Sequence, residues 1–129
     1  MENVILDLFQ KIGAQEVKEE EMPRYKKLIG ELVAFSEKAR KEGILALEGS
    51  ANKVEDRFLR EGLFLIVDGN DWSMVEDILY TQIIADNYRN FLERIIMLQA
   101  VKCICDGENP RIVERRLWAF INSYPPGRG

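Results

Sequence analysis

Two stretches of this sequence repeat one another, and the repeat fixes where the chain turns. Asp68-Gly69-Asn70-Asp71-Trp72-Ser73-Met74-Val75-Glu76-Asp77-Ile78-Leu79 is echoed by Asp106-Gly107-Glu108-Asn109-Pro110-Arg111-Ile112-Val113-Glu114-Arg115-Arg116-Leu117. Each copy ends an apolar run with Asp-Gly and, two residues later, places Asp71 or Asn109 where a new helix begins. Glycine tolerates the left-handed backbone that closes a helix, and Asp or Asn at the N-cap accepts a hydrogen bond from the unpaired amides of the next first turn. Pro110 follows the second cap at N1, where a missing amide costs nothing. Asp68, Gly69, Asp71, Asp106, Gly107, Asn109 and Pro110 therefore predict two helix-Asp-Gly-helix corners. Good corners have few solutions, so Asp-Gly alone would not mark a repeat; the shared Val-Glu-x-x-Leu adds to it.

The rest of the chain reads as helix. No alternating apolar and polar run of useful length is present, and the expected fold is all-α, a compact helical domain of about six helices. Val4, Ile5, Leu8, Phe9 and Ile12 recur at helical spacing and predict a short amphipathic helix stopped by Gly13, able to dock on the core or on a partner. Glu16 to Glu21 forms an acidic linker, which sets a boundary between an N-terminal segment, 1–22, and a helical domain, 23–129. Pro23 opens the next helix, whose stripe of Tyr25, Leu28, Ile29, Leu32, Val33, Phe35, Ser36 and Ala39 is expected to run past Gly43 to Leu47. Asn52 and Glu55 resemble a capping box for a third helix. Helix four opens at Asp71 and is expected to bury Met74, Val75, Ile78, Leu79 and Ile83.

From Trp72 to Cys105 there is neither Pro nor Gly, and a straight helix of that length would reach about 50 Å at 1.5 Å per residue. Asp86-Asn87 is the weakest helix-forming point, so a tight turn and an antiparallel hairpin are expected there. A straight helix would instead call for a dimer with exchanged helices. The last helix is expected from Asn109 to about Asn122, with Val113, Leu117, Phe120 and Tyr124 buried and Pro125-Pro126-Gly127 ending it. Trp72 and Trp118 are read as packing residues.

Composition narrows the chemistry. Its 129 residues, with 47% hydrophobic and 31% charged, suit one globular domain with amphipathic helices. The net charge of −4 leaves no broad footprint for nucleic acid or anionic lipid. Histidine is absent, which removes the commonest metal ligand and proton shuttle. Cys103 and Cys105 lie inside an apolar run and read as small buried hydrophobes in a reducing compartment, since two thiols alone do not build a zinc site. Asp and Glu follow helix surfaces and no glycine-rich phosphate loop is present, so no catalytic residue, cofactor or metal is expected. Met1 to Ile12 carries Glu2 and Asp7 and lacks the pattern of a signal peptide. The densest apolar stretch, Ile95 to Cys105, falls short of the roughly 20 residues that cross a bilayer. The expected location is the cytoplasm, without membrane insertion.

Two runs carry a family resemblance. Ala39-Arg40-Lys41-Glu42-Gly43-Ile44-Leu45-Ala46-Leu47-Glu48 and then Phe58-Leu59-Arg60-Glu61-Gly62-Leu63-Phe64-Leu65-Ile66-Val67-Asp68-Gly69-Asn70-Asp71 resemble the cytoplasmic loop of the flagellar stator protein MotA, of the MotA/TolQ/ExbB family. Asp106 to Glu114, followed by Pro125-Pro126-Gly127-Arg128, is similar to that family's C-terminal cytoplasmic segment. In the family two membrane-spanning helices separate these segments and another pair precedes the first; this sequence shows none of the four, and the junction falls near Ile84 to Asn90. The resemblance thus implies a non-enzymatic protein-binding domain associating with flagellar rotor or stator components, with ion conduction out of reach. It also implies that charges after Leu47-Glu48 meet the rotor protein FliG, which points to Lys53, Glu55, Asp56, Arg57 and Arg60; Gly49 stands where the family often has a basic residue. The apolar surplus of Phe91, Leu92, Ile95, Ile96, Leu98 and Val101 suggests association with motor components or with copies of itself, a homo-oligomer, in the simplest case a dimer. The alternative is a cytoplasmic helical scaffold or regulator without motor function.

Overall fold

The computed structural model describes residues 4–12 and 16–121. These form α1 (Val4–Ile12), α2 (Met22–Glu42), α3 (Glu48–Ala51), α4 (Arg57–Val67), α5 (Trp72–Ala85), α6 (Phe91–Cys105) and α7 (Pro110–Trp118), with 3-10 turns at Glu19–Glu21 and Ile44–Leu47. The fold is all-α, with no strand among the described residues, and no helix among them is long and apolar enough to cross a membrane. The expected stop at Gly13 and the features of Asn122, Tyr124, Pro125-Pro126-Gly127 and Arg128 lie outside the described residues.

α6 is the axis of the molecule. It packs against α2, α4, α5 and α7, and it buries Phe91, Leu92, Ile95, Ile96, Met97, Leu98, Ala100, Val101, Cys103 and Ile104. A helix that is apolar nearly all round must be enclosed. That corrects the sequence reading: the surplus in Phe91, Leu92, Ile95, Ile96, Leu98 and Val101 fills the core of its own chain. α4 comes close enough that a Cβ on Gly62 would stand 3.1 Å from Val101 and 3.3 Å from Leu79. Ile5 and Leu8 of α1 belong to the same apolar cluster, and the Lys11 ammonium donates to the Tyr80 hydroxyl at 3.3 Å.

The two Asp-Gly corners have the same hydrogen-bond geometry. At the first, Gly69 (φ +82°) donates to Ile66 O and Asn70 to Leu65 O; at the second, Gly107 (φ +67°) donates to Ile104 O and Glu108 to Cys103 O. Both are the paired bonds of a Schellman close. The caps differ. The Asn109 side chain accepts from Arg111 N at 2.9 Å, with Pro110 at the start of α7, whereas Asp71 occupies the N-cap position and its carboxylate accepts no cap bond. The corners also touch, because the Lys102 ammonium pairs with Asp106 at 3.0 Å and lies 5.4 Å from the centre of the Trp72 ring.

Three boundaries and one buried position depart from expectation. α2 stops at Glu42, because Gly43 takes φ +94° and donates to Ala39 O, and the chain continues as a 3-10 turn and the short α3. α4 begins at Arg57 under Asp56, not at Asn52: the Asp56 side chain accepts from Leu59 N at 2.9 Å, and Asn52 instead donates back to Glu48 O. α7 ends at Trp118, with the last turn closing through Phe120 and Ile121. Met74 is 52% exposed, while Val75, Leu79 and Ile83 are buried.

Between α5 and α6 the chain turns back. Asn87, Tyr88 and Asn90 all have positive φ (57°, 59° and 52°), a conformation Asn accepts more readily than most residues. The Arg94 guanidinium reaches across to Asp86, and Tyr88 meets Phe91 edge to face at 6.4 Å. The unbroken helix that would have required an exchanged dimer is absent.

Candidate functional site

A groove of about 730 Å³ lies between α2 and the segment that joins α3 to α4. α2 supplies one wall through Lys27, Leu28, Glu31, Ala34 and Phe35. Ser50, Lys53, Val54, Glu55 and Asp56 form the other, Leu59 and Met97 make the floor, and Arg24, Tyr25 and Glu93 close one end.

Sequence-local chemistry holds the second wall in place. Lys53 donates to Ser50 O and Val54 to Ala51 O, so the chain leaves α3 in tight turns. Lys38 on α2 donates to the Ser50 hydroxyl at 3.0 Å, tying the walls together. The Arg60 guanidinium donates to Val54 O at 2.9 Å, and Asp56 caps α4. At the closed end Arg24 pairs with Glu93 at 3.0 Å and with Glu21 at 3.3 Å, its guanidinium 5.3 Å from the centre of the Tyr25 ring. Burial pushes the Tyr25 phenol above its ordinary range, so it stays protonated across the physiological span.

The five charges singled out from the sequence divide by role. Asp56 and Arg60 are engaged by their own backbone, one as a cap and one as a brace. The side chains of Lys53, Glu55 and Arg57 are exposed and make no hydrogen bond or ion pair among the described residues. Lys53, Glu55 and Asp56 lie on the groove; Arg57 and Arg60 are not among its lining residues. Sequence reasoning missed Lys27 and Glu31, exposed and likewise without partners among the described residues, and it missed Leu59 and Met97 as a floor. Charges one turn apart on the exposed side of α2 were legible as a helix surface, but their facing Lys53 and Glu55 depends on how α2 and α3 are joined.

The groove is suited to contact. Its carboxylates are paired, capping or solvated, and among the described residues no group of three or more His, Cys, Asp or Glu is placed to hold a metal ion. Cys103 and Cys105 stand apart from it on α6, and burial raises both thiols above the usual range. Gln99 donates to the Cys103 sulfur at 3.4 Å.

Comparison with known proteins gives a consistent likeness. No protein-family model matches the chain. Over 52 residues it is 42% identical to motility protein A of Borreliella burgdorferi, an overlap of 40% of this chain and 20% of that protein. Over 83 residues it is 35% identical to motility protein A of Bacillus subtilis, covering 64% of this chain and 31% of the relative. The chain thus spans a fifth of the length of the first relative and under a third of the second. The solved structure of C. jejuni MotAB shares the fold, with a TM-score of 0.65 and 18% identity over 95% of this chain and 74% of that one. In sequence and in fold the chain is MotA-like.

Proposed function

We propose that this chain is a non-enzymatic protein-binding domain that plays the part of the cytoplasmic portion of motility protein A, associating with rotor or stator components of a flagellar motor. The observation that carries this reading is the identity to motility protein A from separate bacteria, borne by a chain that folds like MotAB. The surface suits the role. Lys53, Glu55 and Arg57 are held out to solvent on a braced segment, in the stretch where the resemblance puts rotor contact. Exposed charges are ready for a partner because nothing in the domain has to release them. Cytoplasmic placement belongs to the same reading.

The test is direct binding of the purified chain to the rotor protein FliG and to the cytoplasmic segments of a stator protein. A dissociation constant in the tens of micromolar or tighter is expected, weakened by Lys53→Glu with Glu55→Lys. No binding in that range counts against the motor role and favours a scaffold without motor function. Sedimentation velocity on the same preparation measures the self-association that belongs to this reading.

A further inference from the structure

We infer that the turn between α5 and α6 is a hinge at which two copies of this chain exchange α6 and α7, the straightened helix of each copy carrying its own α6 into the core of the other. The partner is a second copy, so the inference stands apart from any motor component.

The corner that ends α5 is built like the two Asp-Gly corners but lacks their glycine. Asn87 donates to Ile84 O and Tyr88 to Ile83 O, both at 2.9 Å, in the same paired arrangement that Gly69 with Asn70 and Gly107 with Glu108 make elsewhere. Asp86-Asn87 therefore stands where the other corners have Asp-Gly. Glycine holds a positive φ with no Cβ to clash, asparagine accepts it in part, and tyrosine has no such allowance. Here Asn87, Tyr88 and Asn90 all take it, at 57°, 59° and 52°. Nothing from Asp86 to Asn90 is Pro or Gly, so the same stretch continues a helix without any left-handed residue. Strain in a short hinge favours exchange, because straightening releases it.

An ion pair opposes the opening. Arg94 pairs with Asp86 across the turn, and in a straight helix these two, eight residues apart, would be separated by about 12 Å. That pair belongs to the closed form alone. The core does not choose between the forms: α6 packs on α2, α4 and α5, and α7 on α2, and exchange rebuilds each of these contacts with the second copy's helices. Val101 meets the same Gly62 surface, and Glu93 the same Arg24, now from another chain. The surfaces that opening exposes are thus covered by what already covers them. Hinge residues and chain concentration set the balance.

The experiment uses full chain carrying Arg24→Lys, which keeps a cation beside Glu93 for a zero-length carbodiimide to join. Isotope-labelled and unlabelled chains are unfolded together, refolded at about 1 mM, and separated into dimer and monomer by gel filtration. In the dimer, roughly half of the links between that position and Glu93 should join labelled to unlabelled peptide, the value for random mixing of two copies. In the monomer every such link should carry one label. The separated dimer should return to monomer on dilution over minutes or longer, since α6 has to leave a core to do so. Asn87→Gly with Asn90→Gly supplies the missing glycines. Neither asparagine side chain makes a hydrogen bond among the described residues, and the double variant should dimerise at least about tenfold more weakly. Asp86→Asn, which removes the closing pair, should dimerise more strongly. A dimer whose links each carry a single label overturns the exchange, and so does the absence of dimer in both the parent and Asp86→Asn. Glycine variants that dimerise as readily as the parent overturn the part assigned to the hinge. A chain that exchanges helices but binds no motor component keeps this inference and loses the motor reading.

Discussion

Single residues show most clearly what is local in this fold. Gly107 has φ +67° and nothing within 4 Å of where a Cβ would stand, so a larger side chain there meets backbone strain and no clash. Gly107→Val should cost more than about 1 kcal/mol, because a β-branched residue is poorly tolerated at positive φ. Thermal unfolding checks it, and an unchanged melting temperature would contradict the corner geometry. The two caps make a paired prediction. Asn109 accepts a hydrogen bond from its helix and Asp71 does not, so Asn109→Ala should destabilise by about 1 kcal/mol and Asp71→Ala by less than half as much. Denaturant melts of the two variants, side by side, decide it. The motif was readable in both copies, but the rotamer of one carboxylate was not.

Among elements, contact and charge decide what propensity leaves open. Gly62 lets α4 approach α6 and α5, and Gly62→Leu should push them apart at a cost of about 1–3 kcal/mol despite leucine's better helix propensity. A lower urea midpoint checks the direction. The turn between α5 and α6 carries its own pH dependence. The Arg94 guanidinium, hydrogen-bonded to Asp86, holds that carboxyl below its usual range. A depressed folded-state pKa means that the stabilisation is present above the ordinary carboxylate range and fades as pH falls through the folded value. Amide exchange across residues 86–90 should therefore quicken on acidification beyond its intrinsic pH dependence, and Asp86→Asn should remove that extra response. Sequence reading found the weak point at Asp86-Asn87 from helix propensity; the ion pair that secures it depends on a residue from the start of the next helix. Gly43, in contrast, reads as a glycine the helix runs through, because a mid-helix glycine and a terminating one look alike until the next segment has something to pack on.

At the scale of the whole molecule, the hairpin of α5 and α6 determines whether one chain can close its own core. Replacing Asn87, Tyr88 and Asn90 together with alanine puts three strong helix formers where positive φ is required, at about 1–2 kcal/mol for each left-handed residue. The straightened helix would carry α6 away from α2, α4 and α7, and the exposed faces should be covered by a second copy. Sedimentation at equal concentration should then show stronger self-association for the variant than for the parent. An unchanged sedimentation profile would mean that packing around α6 outweighs the turn.

The sequence alone determined the helical character, the two Asp-Gly closures, the bend near Asp86 and the likeness to a stator protein, because each is written in neighbouring residues: periodicity, caps, glycines and contiguous motifs. Only the tertiary structure decided that α6 is enclosed, that Asp56 caps α4 in place of Asn52, and that Lys27 and Glu31 face Lys53 and Glu55 across an apolar floor. Those outcomes depend on side chains from separate segments sharing one volume, and burial and facing charge are properties of that shared space.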